Sequence, residues 1–544
     1  MKFKKDNLTK KKFRLRLNGF SILKNENNLG LWRNLKEQFL IFSPLEKGKI
    51  IFYKYIFGSS YDYAELISHQ YCVDIFLPNW LGGEILENVA KPIKYKITKP
   101  LPSLWVKVLE NENLTVNKWS IKLKFMLFIL RKFIQNIHFI FSVIYRSIKR
   151  RSNKFNNENT VVFWDLTAKN FPPNLNSDYN FDIISWYIGS NVFNNKIQTI
   201  YHSVRGKEDM IYKNIGIKYN CSPTSYVNDK LSLLKFIIWS IFATALSVFD
   251  LIMGKWHHAL ILGEAAKNKI IELRPFDELS IAYYFPYSSQ CYRPMWTYGA
   301  FEKGTEIVSY FYSTYAQPKV KKLLNNQKFE FYLYNWPISL VWNEAQSNLL
   351  KLNSKFIINE KLVGPIFNND SFGSVPRNKN FSIAVFDIQI QKKSHHFGVL
   401  TLTEYYEFNK DVDLLFLKDI ISCTEVLNIS ILHKIKRDIG RKSVESYTKY
   451  LNKLNENLNY LPVESSVSAI KVIDMADMVI SSPFTSTALY GSMRNKPTFY
   501  YDPTGWIQKD DPAAHGIPVI VGITELKQII ENIFKTNLGE NLSN

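Results

Sequence analysis

Cysteine is scarce: the 544 residues contain four, Cys72, Cys221, Cys291 and Cys423, and no CxxC pair. Disulfide frameworks and thiolate zinc sites need several cysteines at close spacing, so both are excluded and a reducing compartment fits. The amino terminus, MKFKKDNLTKKKFRLRLNGF, has no uninterrupted apolar run, so a signal peptide is not expected. Carboxylates are also few. Against 69 Lys+Arg there are 48 Asp+Glu, a net charge of +21, and residues 121–155 contain no acid at all. The excess points to an anionic partner: a membrane face, a phosphorylated substrate or a nucleic acid. Zinc spacing, a paired-aromatic RNA motif and a recognition helix are all missing, which counts against the nucleic acid.

What is present is a globular composition, 46% hydrophobic and 15% aromatic. The chain is too long for one core. Residues 121–155 alternate cations with apolar and aromatic side chains, the pattern of an amphipathic helix lying on an anionic leaflet. Residues 236–254 (FIIWSIFATALSVFDLIMG) are uncharged except for Asp250. A lone acid is costly at mid-membrane, so this run reads as a buried or interfacial helix before a span.

Short apolar runs then alternate with helical windows. Strands are expected at 160–164, 181–188, 279–285, 306–312 and 356–358, with a helix at 341–352. Residues 363–380 (VGPIFNNDSFGSVPRNKN) are rich in Pro, Gly, Asn and Ser and read as a linker. Alternation restarts with strands at 381–388, 428–434, 478–481 and 497–501, and helices at 411–424, 442–457, 469–476 and 524–534. This predicts an α/β fold of two doubly wound domains facing a cleft. The expected division is 1–155 for a basic, aromatic extension, 156–370 for a first Rossmann-like domain that includes 236–254, and 376–535 for a second.

Five hydroxyls crowd the strand-to-helix turn SSPFTST: Ser481, Ser482, Thr485, Ser486 and Thr487. Such a turn, at the carboxyl edge of a parallel sheet, collects a phosphate on backbone N–H groups and the helix dipole. A simple cap would need one hydroxyl. At the end of another strand, ILHKIKR offers His433, Lys434, Lys436 and Arg437 as donors for the same phosphate. For a general base that deprotonates a hydroxyl, Asp165 at a strand end leads, ahead of Glu264 and Asp277, with Asp387 as runner-up. Arg293 and Trp296 offer a cation and an aromatic platform to a sugar acceptor. Asp502 and Thr504 follow the strand after the hydroxyl turn. Asp411-Val-Asp413 has the spelling of a DxD metal motif but precedes a helix, which it would cap. No metal or other cofactor is required.

The block 475–505, MADMVISSPFTSTALYGSMRNKPTFYYDPTG, resembles the donor-nucleotide region of GT-B glycosyltransferases. More narrowly it resembles bacterial polysaccharide-biosynthesis proteins named for a PFTS motif, here Pro483, Phe484, Thr485 and Ser486. It is also similar to bacterial sialyltransferases and Kdo transferases, which pair a late Ser/Thr turn with an earlier His-Pro or Lys-Pro; here His433 is followed by Lys434. The resemblance implies two Rossmann-like domains, a metal-independent transferase and a nucleotide-sugar donor, a CMP-linked acidic sugar among them. It implies a glycan or lipid-linked acceptor of O-antigen or capsule type, and a donor site that takes in Asp502. With the basic helix, this places the protein in the cytoplasm, peripherally on the inner face of the cytoplasmic membrane. The rival expectations are a non-catalytic scaffold of a polysaccharide assembly complex, or another nucleotide-sugar enzyme such as an epimerase or polyol-phosphate transferase.

Overall fold

The computed structural model describes residues 26–45, 53–76, 84–85, 88–89, 92, 94–149, 159–166, 170–171, 183–190, 197–219, 222–286, 292–311, 331–366, 373–376, 380–388, 412–435, 444–511 and 514–543. Two sheets organise it. The first contains β1 (Thr160–Phe163), β2 (Thr199–His202), β3 (Met210–Tyr212), β4 (Ile215–Tyr219), β5 (Ala282–Pro286), β6 (Glu306–Tyr310), β7 (Ile338–Val341) and β8 (Glu360–Leu362). Their order is β3-β4-β2-β1-β5-β6-β7-β8. Every neighbouring pair is parallel except β3 with β4, an antiparallel edge.

The second contains β9 (Ser382–Phe386), β10 (Ser430–Lys434), β11 (Tyr460–Val463), β12 (Met478–Ser481), β13 (Thr498–Asp502) and β14 (Val519–Val521). All its pairs are parallel, in the order β11-β10-β9-β12-β13-β14. In both sheets the chain builds outward from a central strand, then returns to that strand's other side. This is the doubly wound Rossmann order. The central strands are buried along their whole length, which is why they read as continuous apolar runs.

A third, helical core joins the amino-terminal region to the first domain. The helices Ala64–Phe76, Ser103–Asn111 and Lys118–Lys149 pack with Lys230–Ile252 and His257–Leu273 around one apolar cluster. The extension expected at 1–155 therefore shares its core with residues 230–273. Gly263 permits a close approach there. Asn136 Nδ2 donates to the carbonyls of Ala259 and Leu260 at 3.0 Å each, and a Cβ at 263 would meet Asn136 Oδ1 at 2.5 Å.

Two expected strands are corrected. Residues 183–189 form the helix Ile183–Gly189, buried through Tyr187; an apolar run buried on all sides carries no period to tell helix from strand. Residues 356–358 are irregular, Ile357 lies wholly exposed, and the edge strand β8 forms just after them. The strands β2, β3, β4, β7, β11 and β14 carry no strong sequence pattern and were not expected. Much of the expected linker lies outside the described residues.

Candidate functional site

In a doubly wound sheet the crevice opens outside the carboxyl ends of the strands, where the strand order reverses. In the second sheet that point lies between β9 and β12. The SSPFTST turn leaves β12 there, and Ser482 N–H extends the ladder by donating to Phe386 O at 2.8 Å. Phe484 adopts φ +61°, a left-handed conformation rare for a bulky side chain. Its ring is buried and stacked on Tyr500, with centroids 5.4 Å apart, and Tyr500 OH donates to Thr485 O at 3.1 Å. Packing thus holds the strained residue and aims the turn into the helix Ser486–Met493.

The five hydroxyls divide. Ser481 and Ser482 are buried. Ser481 Oγ meets Thr487 Oγ1 at 3.0 Å, and Thr487 meets Thr485 Oγ1 at 3.1 Å. Thr485 Oγ1 donates to Ser482 O at 2.9 Å. Thr485, Ser486 and Thr487 are half-buried and form the accessible rim. Thr485 is the N-cap, yet no side chain caps the helix. Ala488 N–H donates to Thr485 O at 3.4 Å, and the start of such a helix carries the positive end of the dipole, where anions are favoured. Gly491 lets this helix lie close on the sheet: a Cβ there would meet Thr498 Oγ1 at 2.6 Å and Val479 Cγ2 at 2.9 Å.

The basic loop behaves differently. His433 is wholly buried within β10, and Asp387, just past β9, is buried beside it. His433 Nε2 faces Asp387 Oδ1 at 3.3 Å, and His433 Nδ1 meets Tyr460 OH at 2.6 Å. The other Asp387 oxygen accepts from Tyr447 OH. This revises two expectations. A buried imidazole facing a carboxylate does not reach a phosphate, and a carboxylate bonded to an interior tyrosine does not reach an acceptor hydroxyl. Lys434 is also turned inward, donating to Ser465 O at 3.1 Å, so it is no phosphate ligand in this arrangement. Arg437 lies outside the described residues.

Asp502 is corrected as well. Fully buried, it accepts from Thr504 N–H at 2.8 Å, Thr504 Oγ1 at 2.7 Å and Ile507 N–H at 2.8 Å. It builds the loop after β13 and has no face for a donor.

In the first sheet the order reverses between β1 and β5. Asp165 sits just beyond β1, where Trp164 N–H donates to Tyr284 O at 2.8 Å. It is exposed and holds φ +49°, a conformation that Asp tolerates. Partial desolvation of its carboxyl raises its pKa above the ordinary aspartate value. The other carboxylates lie elsewhere: Asp277 precedes β5, at the opposite edge of the sheet, while Glu264, inside a helix, binds Lys267 at 2.5 Å and Tyr292 OH at 2.7 Å.

The proposed acceptor platform is also corrected. Trp296 is 2% exposed and packed among Trp164, Tyr283 and Phe285. Arg293 is 4% exposed. It bonds Thr297 Oγ1 at 3.0 Å and Asn335 O at 3.3 Å and lies 3.8 Å from the Tyr298 ring centre. Both belong to the core.

The two carboxyl edges meet. Trp342, just past β7, stacks on Tyr490 at 6.2 Å, and Asn343 Oδ1 meets His515 Nδ1 at 2.9 Å. Phe484, Leu489 and Ile517 share a core with the first domain. None of these contacts was legible in the sequence, because each joins residues from separate elements. Among the described residues, the one grouping with metal-ligand chemistry is Asp250, His257 and His258, whose ligand atoms lie within 4.8 Å of one another. It belongs to the helical layer, not to either sheet edge.

Two Rossmann-like domains whose carboxyl edges meet are the architecture of the GT-B glycosyltransferases. The family model described as polysaccharide biosynthesis PFTS motif protein matches residues 234–530, and the chain belongs to that family. Among solved structures it is similar to Anabaena HepE in complex with UDP and glucose, at 10% identity and a TM-score of 0.34, over 68% of this chain and 89% of that one. It is similar also to the glycotransferase of kitacinnamycin, at 11% identity and a TM-score of 0.32, over 71% of this chain and 93% of that one. No curated protein matches the chain.

Proposed function

We propose that the protein is a glycosyltransferase of surface-polysaccharide synthesis, moving a sugar from a nucleotide-activated donor to a glycan or lipid-linked acceptor. The observation that carries this reading is the placing of two features at the two switch points: an uncapped helix N-terminus behind SSPFTST, and the exposed Asp165. The first-turn N–H groups of the helix Ser486–Met493, with the rim of Thr485, Ser486 and Thr487, receive the donor phosphate. Asp165 accepts the proton of the acceptor hydroxyl as its oxygen attacks the anomeric carbon. The bond from that carbon to the phosphate oxygen breaks, and the nucleotide leaves with the electron pair, stabilised by the dipole without a metal. A CMP-linked acidic sugar is the donor we put first. The acid-free basic helix supports a workplace at the inner face of the cytoplasmic membrane.

Calorimetric titration with CMP, CDP, UDP and GDP tests the donor site, and one of them is expected to bind. If none binds, the reading is wrong. With the donor known, Asp165→Asn is expected to lower kcat by about 10²–10⁴-fold with nucleotide affinity unchanged. In the wild type, the rate falls on acidification through a pKa above the ordinary aspartate value, because the base must be ionised and partial burial raises it. A variant with wild-type kcat would remove Asp165 from the reaction.

A further inference from the structure

Two helices of the helical layer are long and apolar enough to cross a membrane by length and composition, Lys118–Lys149 and Lys230–Ile252. Both pack on the helix His257–Leu273 and touch each other, so they form its outer covering. Each has two apolar faces. In Lys118–Lys149, Ile121, Phe125, Ile129 and Phe133 face inward. At roughly 100° per residue, Leu123, Leu127, Ile134, Phe141 and Ile148 form a second stripe turned away from them, and all five are exposed. Lys124, Arg131 and Lys149 line one flank of this stripe, and the helix has no acid. In Lys230–Ile252, Phe236, Trp239, Ala243 and Asp250 face inward. Leu234, Ile238, Ile241, Phe249 and Ile252 are exposed on the opposite side.

Asp250, the one acid of that helix, is buried, and its carboxylate meets His258 Nδ1. The outward face is thereby left without an acid. A crossing does not fit: the return helix His257–Leu273 carries Glu264, Lys267, Lys269 and Glu272, too polar for a second pass. Continuous exposed apolar stripes of this extent mark an interaction surface, and a flank of cations without acids matches an anionic leaflet.

We infer that these two helices form one lipid-facing surface. It beds in the plane of an anionic leaflet, with the outward stripe of Lys230–Ile252 reaching the acyl boundary and the cations of Lys118–Lys149 meeting lipid phosphates. This rests on the proposed membrane workplace but stands apart from the transferase chemistry.

Flotation of the full chain with vesicles of phosphatidylcholine, with and without phosphatidylglycerol, tests it. The wild type is expected to float with the anionic vesicles at low salt, and less well as salt rises. Ile238→Glu, Ile241→Glu and Phe249→Glu combined should reduce binding about tenfold or more. As these side chains are exposed, nucleotide affinity and the thermal midpoint should not change. Should the triple variant unfold, Leu127→Glu with Phe141→Glu on the other helix gives the same reading. A wild type that stays at the bottom at low salt, or variants that float like it, would overturn the proposal. So would a dimer in lipid-free buffer that the triple variant dissociates while vesicles remain unbound, since the face would then join two copies of the chain. A chain that floats and binds no nucleotide sinks the transferase reading alone; one that binds nucleotide and stays down sinks only the lipid surface.

Discussion

Thr485→Asp is expected to weaken nucleotide binding by about 100-fold or more while leaving the chain folded. Thr485 is the N-cap of the helix Ser486–Met493, which no side chain caps. Asp is among the best N-cap residues, and its carboxylate would accept from the first-turn N–H groups. A negative charge there favours the helix by about 0.3–1 kcal/mol, offsetting the lost bond from Thr485 Oγ1 to Ser482 O. It also occupies the anion site and repels the donor phosphate. A hundredfold loss corresponds to about 2.7 kcal/mol, within reach of one removed charge-assisted contact and one added repulsion. Thr485→Ser keeps the hydroxyl and should bind within a few-fold of wild type. Titration with the nucleotide that the wild type prefers, beside thermal unfolding, decides the matter. Undiminished binding by the Asp variant would remove the phosphate from this turn.

The second large effect is on stability. His433→Ala and Asp387→Ala should each destabilise the chain by about 3–5 kcal/mol, since each strands a buried polar partner. The first leaves the Asp387 carboxylate with Tyr447 as its bonded neighbour, and the second leaves His433 facing an empty space. The apolar pair Asp387→Leu with His433→Phe should cost much less than the sum of the two, because nothing polar is then left without a partner except the two tyrosine hydroxyls. Urea unfolding followed by circular dichroism measures all three. Single variants within about 1 kcal/mol of wild type would show that the pair is not locked in the interior, and the roles first expected of Asp387 and His433 would return.

That reversal shows where sequence reading stopped. ILHKIKR holds three kinds of donor within a few residues, and composition makes them look like one cationic loop. In the structure His433 lies in the strand, pointing into the interior toward residues 46 positions upstream and 27 downstream in the chain. Burial and partnership are properties of the assembled sheets, so no local pattern distinguishes this histidine from a phosphate ligand. Trp296, Arg293 and Asp502 misled in the same way. Each has the chemistry of a binding residue, and each is already engaged by neighbours that the fold brings to it. The place of the SSPFTST turn, at the carboxyl end of a strand, was legible because the signal is local: a strand, a cluster of hydroxyls and a helix start occur in unbroken succession. The place of Asp165 just past a strand was legible for the same reason.

The scarcity of cysteine and of acid, together with the strand–helix alternation, determined the compartment expected, the double α/β architecture and the place of the hydroxyl turn. These rest on redox chemistry, charge and residue periodicity, all of which act over short stretches of chain. Only the tertiary structure decided which of the polar residues face the crevice and which are interior. It also decided that the two apolar helices lie over one buried helix with their second faces outward and Asp250 turned in. Side-chain direction depends on what packs against an element, and that partner comes from distant chain.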